Sequence, residues 1–121
     1  WKYYLAADMT VFAYTSQARG FFSKASKGGL SAVAESVRRS YENPQTMARL
    51  EQVMRLAEAL AVPVSTVVLA YLTNQPFPAV PIVGPQSAAQ LSEAMMAAEL
   101  ELPEAWLIEW NRQFSTADTG K

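Results

Sequence analysis

The 121-residue sequence contains no histidine and no cysteine. The first absence removes the commonest general base near neutral pH. The second removes the commonest soft nucleophile, any disulfide framework and any thiolate metal site. A chain without disulfides fits a reducing compartment, and a cytoplasmic setting is the expectation. Surplus charge is also missing, since ten Lys and Arg stand against eleven Asp and Glu for a formal net charge of -1. With no strong field of either sign, neither nucleic acid nor an acidic membrane is expected as a partner. No apolar run approaches the ~18 residues of a spanning helix. Trp1-Lys2-Tyr3-Tyr4 has none of the marks of a signal sequence. There is no initiator methionine, so the chain is expected to begin inside a structural element of a longer protein.

What is present is the composition of one globular domain, half of it hydrophobic and 17% of it charged. We read a single domain over 1–114 and a flexible tail over 115–121. The β-branched and aromatic run at 9–14 predicts a strand, and the small polar residues of 15–20 predict the loop that leaves it. One short helix is expected within 30–41, after the Gly28-Gly29 break. Asn43-Pro44 is a helix start, because asparagine caps well and proline fits the first helical position. Leu50, Val53, Met54, Ala57 and Leu60 then recur at helical spacing. Pro63 ends that helix and Ser65 is placed to cap the next. A second strand is expected at 79–83, with Pro81 marking an edge or a place where no partner needs its N–H. Leu91, Ala94, Met95 and Ala98 form the expected inward face of the following helix. Met95, Met96, Trp106 and Trp110 read as core, and the glutamates from Glu51 to Glu109 as solvated helix faces.

Two strands joined by helical crossovers should be parallel, and ligands gather at the carboxyl ends of such strands. The turns 14–20 and 84–90 would meet there. The second is the more telling. Ala79-Val80-Pro81-Ile82-Val83-Gly84-Pro85-Gln86-Ser87 is a strand, a glycine turn and a helix start, and Ser87 with Gln90 makes a capping box. A helix start leaves amide N–H groups unpaired at a partly positive end, so it can cradle a phosphate without a basic side chain. The same spacing has a purely structural use, because the capping box stabilises the helix whether or not an anion is held.

Three segments carry a further resemblance: Phe12-Ala13-Tyr14-Thr15-Ser16-Gln17-Ala18-Arg19-Gly20, then Val68-Leu69-Ala70-Tyr71-Leu72 with Asn74-Gln75, then Pro81-Ile82-Val83-Gly84. In this order the chain resembles the C-terminal part of the aldo-keto reductases, NADPH-dependent oxidoreductases built on a (β/α)8 barrel. The resemblance implies an α/β, helix-rich segment of a TIM barrel, with two short parallel strands (the barrel's seventh and eighth) and four to six helices. It implies that Tyr14 stacks on the nicotinamide ring and that Thr15, Ser16, Gln17 and Arg19 line the pyrophosphate. Gly84, Pro85, Gln86 and Ser87 would hold the adenosine end, with Gln90 near the 2′-phosphate and Glu93 facing the adenine. The cofactor so implied is NADP or NAD. The family's basic residue after the glycine turn is Gln86 here, and its adenine-contacting asparagine is Ala94, so the preference for NADP is not set by those positions. The family's catalytic Asp, Tyr, Lys and His come from early barrel strands, and no residue of this chain matches them.

A full barrel takes about 250 residues. The chain is therefore expected to need either the missing N-terminal portion or a homo-oligomer that buries Val11, Phe12, Ile82 and Val83. Two functions remain open. One is the nucleotide-phosphate-binding portion of an aldo-keto reductase-like enzyme, not catalytically competent alone. The other is a stand-alone oligomeric remnant acting as a structural or binding module.

Overall fold

The computed structural model describes residues 2–14 and 16–115. Two parallel strands, β1 (Val11–Ala13) and β2 (Ala79–Pro81), pair Val11 with Ala79, Phe12 with Val80 and Ala13 with Pro81. Seven α-helices accompany them: α1 (Lys2–Ala7), α2 (Phe21–Gly28), α3 (Glu35–Tyr41), α4 (Pro44–Leu60), α5 (Val64–Thr73), α6 (Ala88–Glu99) and α7 (Glu104–Ser115). The helix-rich α/β class is as expected. The strands are shorter than the runs 9–14 and 79–83. Ile82 N–H reaches the Ala13 carbonyl at 3.0 Å, and the Ser16 hydroxyl donates to the Ile82 carbonyl just beyond β2. The expected tail from 115 onward lies, apart from Ser115, outside the described residues.

Helix count exceeds the expected four to six because 21–42 holds two α-helices where one was expected. The Gly28-Gly29 break is real, and Gly29 takes φ 72°. A single 3-10 turn over Leu30–Ala32 follows, and extended Val33 is driven into the core before α3 starts. α4 matches its expected limits. The Asn43 side chain accepts the Thr46 N–H at 2.8 Å, a cap worth about 1 kcal/mol.

α5 begins differently from expectation. Pro63 is its cap residue, and the Pro63 carbonyl takes the N–H groups of Thr66 and Val67. Ser65 is thereby displaced into the first turn, and its hydroxyl is free for another task.

Two hydrophobic clusters meet along α4. One gathers Phe21, Ala25, Val33, Val37 and Leu50; the other gathers Val53, Leu56, Ala57, Val67, Leu69, Ala70, Ala97, Leu102 and Trp110. α5 turns 100° from α4 and packs against α2, α4, α6 and β2, so even its Thr66 is fully buried. α6 lies on it closely enough for Thr66 Oγ1 to donate to the Glu93 carbonyl (2.9 Å) and Thr73 Oγ1 to the Ala97 carbonyl (3.3 Å). Only small side chains fit such a seam. Hence Ala94 and Ala97 face inward, while Leu91, Met95 and Met96, expected in the core, are exposed; Met95 is 62% accessible. Trp106 and Trp110 do pack together, with ring centroids 4.9 Å apart. No single helix among the described residues is long and apolar enough to cross a membrane.

One face of the sheet is covered by α5 and the other is open. Phe12 is 65% accessible and its register partner Val80 42%, with Ile82 and Val83 also exposed.

Candidate functional site

Parallel pairing sends the turns after β1 and β2 out of the same end of the sheet. Ser16 Oγ, 2.8 Å from the Ile82 carbonyl, ties them together. Between them, α2 and the first turns of α5 and α6 enclose a cleft of about 580 Å³.

The turn after β1 is backbone-strained. Ala18, Arg19 and Gly20 have φ of 50°, 55° and 82° in succession. Only the last is at ease there, and a left-handed non-glycine residue costs roughly 1–2 kcal/mol. Strain of this kind persists where the surroundings fix it, and it clusters at binding sites. α2 starts directly from Gly20, and the Lys24 side chain folds back over that glycine, 3.6–3.9 Å from where a Cβ would stand.

Three cations, Arg19, Lys24 and Lys27, line the cleft. Among the described residues none of them pairs with a carboxylate. The ion pairs that do form, Arg38–Glu42, Arg39–Glu35, Arg55–Glu51 and Arg112–Glu109, join residues three or four apart on α4, on α7, and on α3 with the Glu42 that follows it, and do not line the cleft. In the first of these, the hydrogen bond from Arg38 holds the Glu42 carboxyl below its ordinary range.

The opposite wall is the start of α6. Ser87 Oγ accepts the Gln90 N–H at 3.1 Å, and the Gln90 side-chain oxygen accepts the Gln86 N–H at 2.7 Å. The capping box therefore forms, reaching one residue further back than the expected Ser87 amide. Because an N–H can only donate, the Gln90 amide oxygen must face it, and the two hydrogens on Nε2 are left for the cleft. The Ala88 and Ala89 amides also meet no acceptor among the described residues. Glu93, half-buried at the base of the cleft, accepts from Ser65 Oγ at 2.5 Å.

Amide donors and unpaired cations converge on a space suited to a polyanion. The sequence profile of the Aldo/keto reductase family matches residues 1–112. The chain belongs to that family. A search of curated proteins gave no match. Aldo/keto reductases generally use NAD(P)H, an anionic cofactor of the kind such a cleft could accept.

Of the residues singled out from sequence in this aldo/keto reductase chain, Ser16, Gln17, Arg19, Gly84, Pro85, Gln86, Gln90 and Glu93 line the cleft together. Ser87 stands behind it as the cap. Tyr14 lies outside the lining and is 84% accessible, and Thr15 is outside the described residues. Lys24, Lys27 and Ser65 were missed. The two lysines stand at i and i+3 opposite the Phe21/Ala25 stripe of α2, a signal too short to stand out beside two glycines. Ser65 was read as a cap. No cluster of His, Cys, Asp or Glu among the described residues could hold a metal ion.

Proposed function

We propose that the cleft holds the phosphate-bearing part of a nicotinamide dinucleotide, and that the chain supplies the dinucleotide-binding part of an aldo/keto reductase site. The observation that carries this reading is the group of three unpaired cations facing an amide-rich helix start. Arg19, Lys24 and Lys27 would neutralise phosphate oxygens, and Gln90 Nε2 with the Ala88 and Ala89 amides would donate to them. The exposed Tyr14 ring offers an aromatic face for the nicotinamide, and Glu93 an acceptor for the adenine amino group. β1 and β2 would then correspond to the barrel's seventh and eighth strands. When bound, the reduced nicotinamide supplies a hydride to a carbonyl carbon. Lys24 and Lys27 make good the cation that Gln86 lacks, which favours NADPH over NADH.

Titrating both cofactors while following tryptophan emission tests the proposal. Saturable quenching is expected, with NADPH binding about 10-fold tighter through its additional charged contacts. No response to either cofactor at millimolar concentration would remove the reading.

A second reading, a self-associating module, is favoured by one observation, the open sheet face bearing Phe12, Val80 and Ile82. It predicts a dimer or larger by light scattering at micromolar concentration, where a clean monomer would count against it.

A further inference from the structure

The Glu93 carboxylate sits at the base of the cleft, and two consecutive residues of α5 hold it. Ser65, itself buried, donates from Oγ to Glu93 Oε2 at 2.5 Å, and Thr66 donates from Oγ1 to the Glu93 main-chain carbonyl at 2.9 Å. Side chain and backbone of one residue are thus gripped by adjacent hydroxyls. A glutamate has three rotatable side-chain bonds, and left alone on a helix it samples many orientations. This one is confined to a single orientation, and Ser65 stands in the first turn of α5, where the aligned amide dipoles attract a carboxylate. Its second oxygen, Oε1, accepts no hydrogen bond among the described residues. Glu93 is the one carboxylate among the residues that line the cleft, so a fixed anionic acceptor stands out.

Resting on the dinucleotide reading, we infer that Ser65 is a positioning residue that aims Glu93 and thereby selects adenine over purine bases lacking a 6-amino donor. An exocyclic amino group donates to a carboxylate held in place, whereas a base with a carbonyl at the same position sets its lone pairs against it. The polar site left unpaired is what gives such discrimination its size. Ser65 contributes no contact to the base; its effect passes through Glu93.

The experiment measures calorimetric affinity for NADPH and for its hypoxanthine counterpart, in which a carbonyl replaces the 6-amino group. Wild type should prefer NADPH by about 10-fold or more, as a hydrogen bond to a charged acceptor allows. Ser65→Ala should bring the two within about 3-fold, Ser65→Thr should restore the preference, and Ser65→Ala added to Glu93→Gln should change nothing further. The inference is overturned if Ser65→Ala keeps the full preference, if it weakens both ligands equally, or if it lowers affinity further in the Glu93→Gln background. Equal wild-type affinity for the two ligands overturns it while leaving the dinucleotide reading intact. Binding of neither removes both.

Discussion

Reversing Arg19, Lys24 and Lys27 together (R19E/K24E/K27E) should lower NADPH affinity by about three orders of magnitude or more. Each charge-assisted contact is worth about 1.5–3 kcal/mol, and reversal adds repulsion to the loss. The single change Lys24→Ala should cost roughly 10-fold. Wild-type affinity should also fall steeply with salt, and the triple variant should lose or invert that dependence, since screening weakens the new repulsion just as it weakens the original attraction. Folding should survive the lysine changes, because α2 is held by Phe21 and Ala25, both buried, on its other side. A thermal melt alongside the titration checks this. A folded triple variant that retains wild-type affinity would show that the three cations do not hold the ligand.

The second large effect concerns Asn74, the residue that ends α5. Its Nδ2 donates to the Ala70 carbonyl at 2.8 Å and to the Leu100 carbonyl at 2.9 Å, and its Oδ1 accepts the Leu102 N–H at 3.0 Å. One side chain thus closes a helix and fastens the connection between α6 and α7 to it. Leu102 is buried, so its amide has little water to turn to once the partner is gone. Asn74→Ala should therefore lose about 2–4 kcal/mol of stability in urea unfolding. Asn74→Asp keeps the acceptor for Leu102 but sets a carboxylate against two carbonyls, and should not rescue it. A loss below about 0.5 kcal/mol for Asn74→Ala, the range of an ordinary surface change, would refute the role.

The same residue shows what could be read from the chain in advance. Asn43-Pro44 and the stripe after it announce α4, because a cap and its helix lie within one local stretch of sequence. Ser87 and Gln90 announce α6 for the same reason. Asn74 was visible only as part of a family pattern, because its partners at 100 and 102 lie too far along the chain for spacing to reveal them. α6 was placed correctly and faced wrongly: hydrophobicity pointed Leu91 and Met95 inward, but the hydroxyls of Thr66 and Thr73 draw α6 so near to α5 that alanines occupy the seam. The two turns of the site were legible as a pair, since strand order alone brings them together. The lysines were not, because α2 is a short helix between glycines whose face is set by packing against α3 and α4. By spacing alone Glu93 reads as one solvated glutamate among several, and the resemblance faces it to the adenine; its hydroxyl partner is supplied only by the displacement of Ser65 by Pro63.

Pro81 has a consequence for how this sheet can grow. Ile82 N–H points to β1, so by alternation the position of Pro81 points its missing donor to the opposite side. The β1 ladder loses nothing by it. A newcomer chain adding beyond β2 would find a gap in the row of hydrogens offered to it, whereas one adding beyond β1 meets no proline in Val11, Phe12 or Ala13. The two margins of the sheet are therefore unequal, and extension is favoured from the Phe12 side.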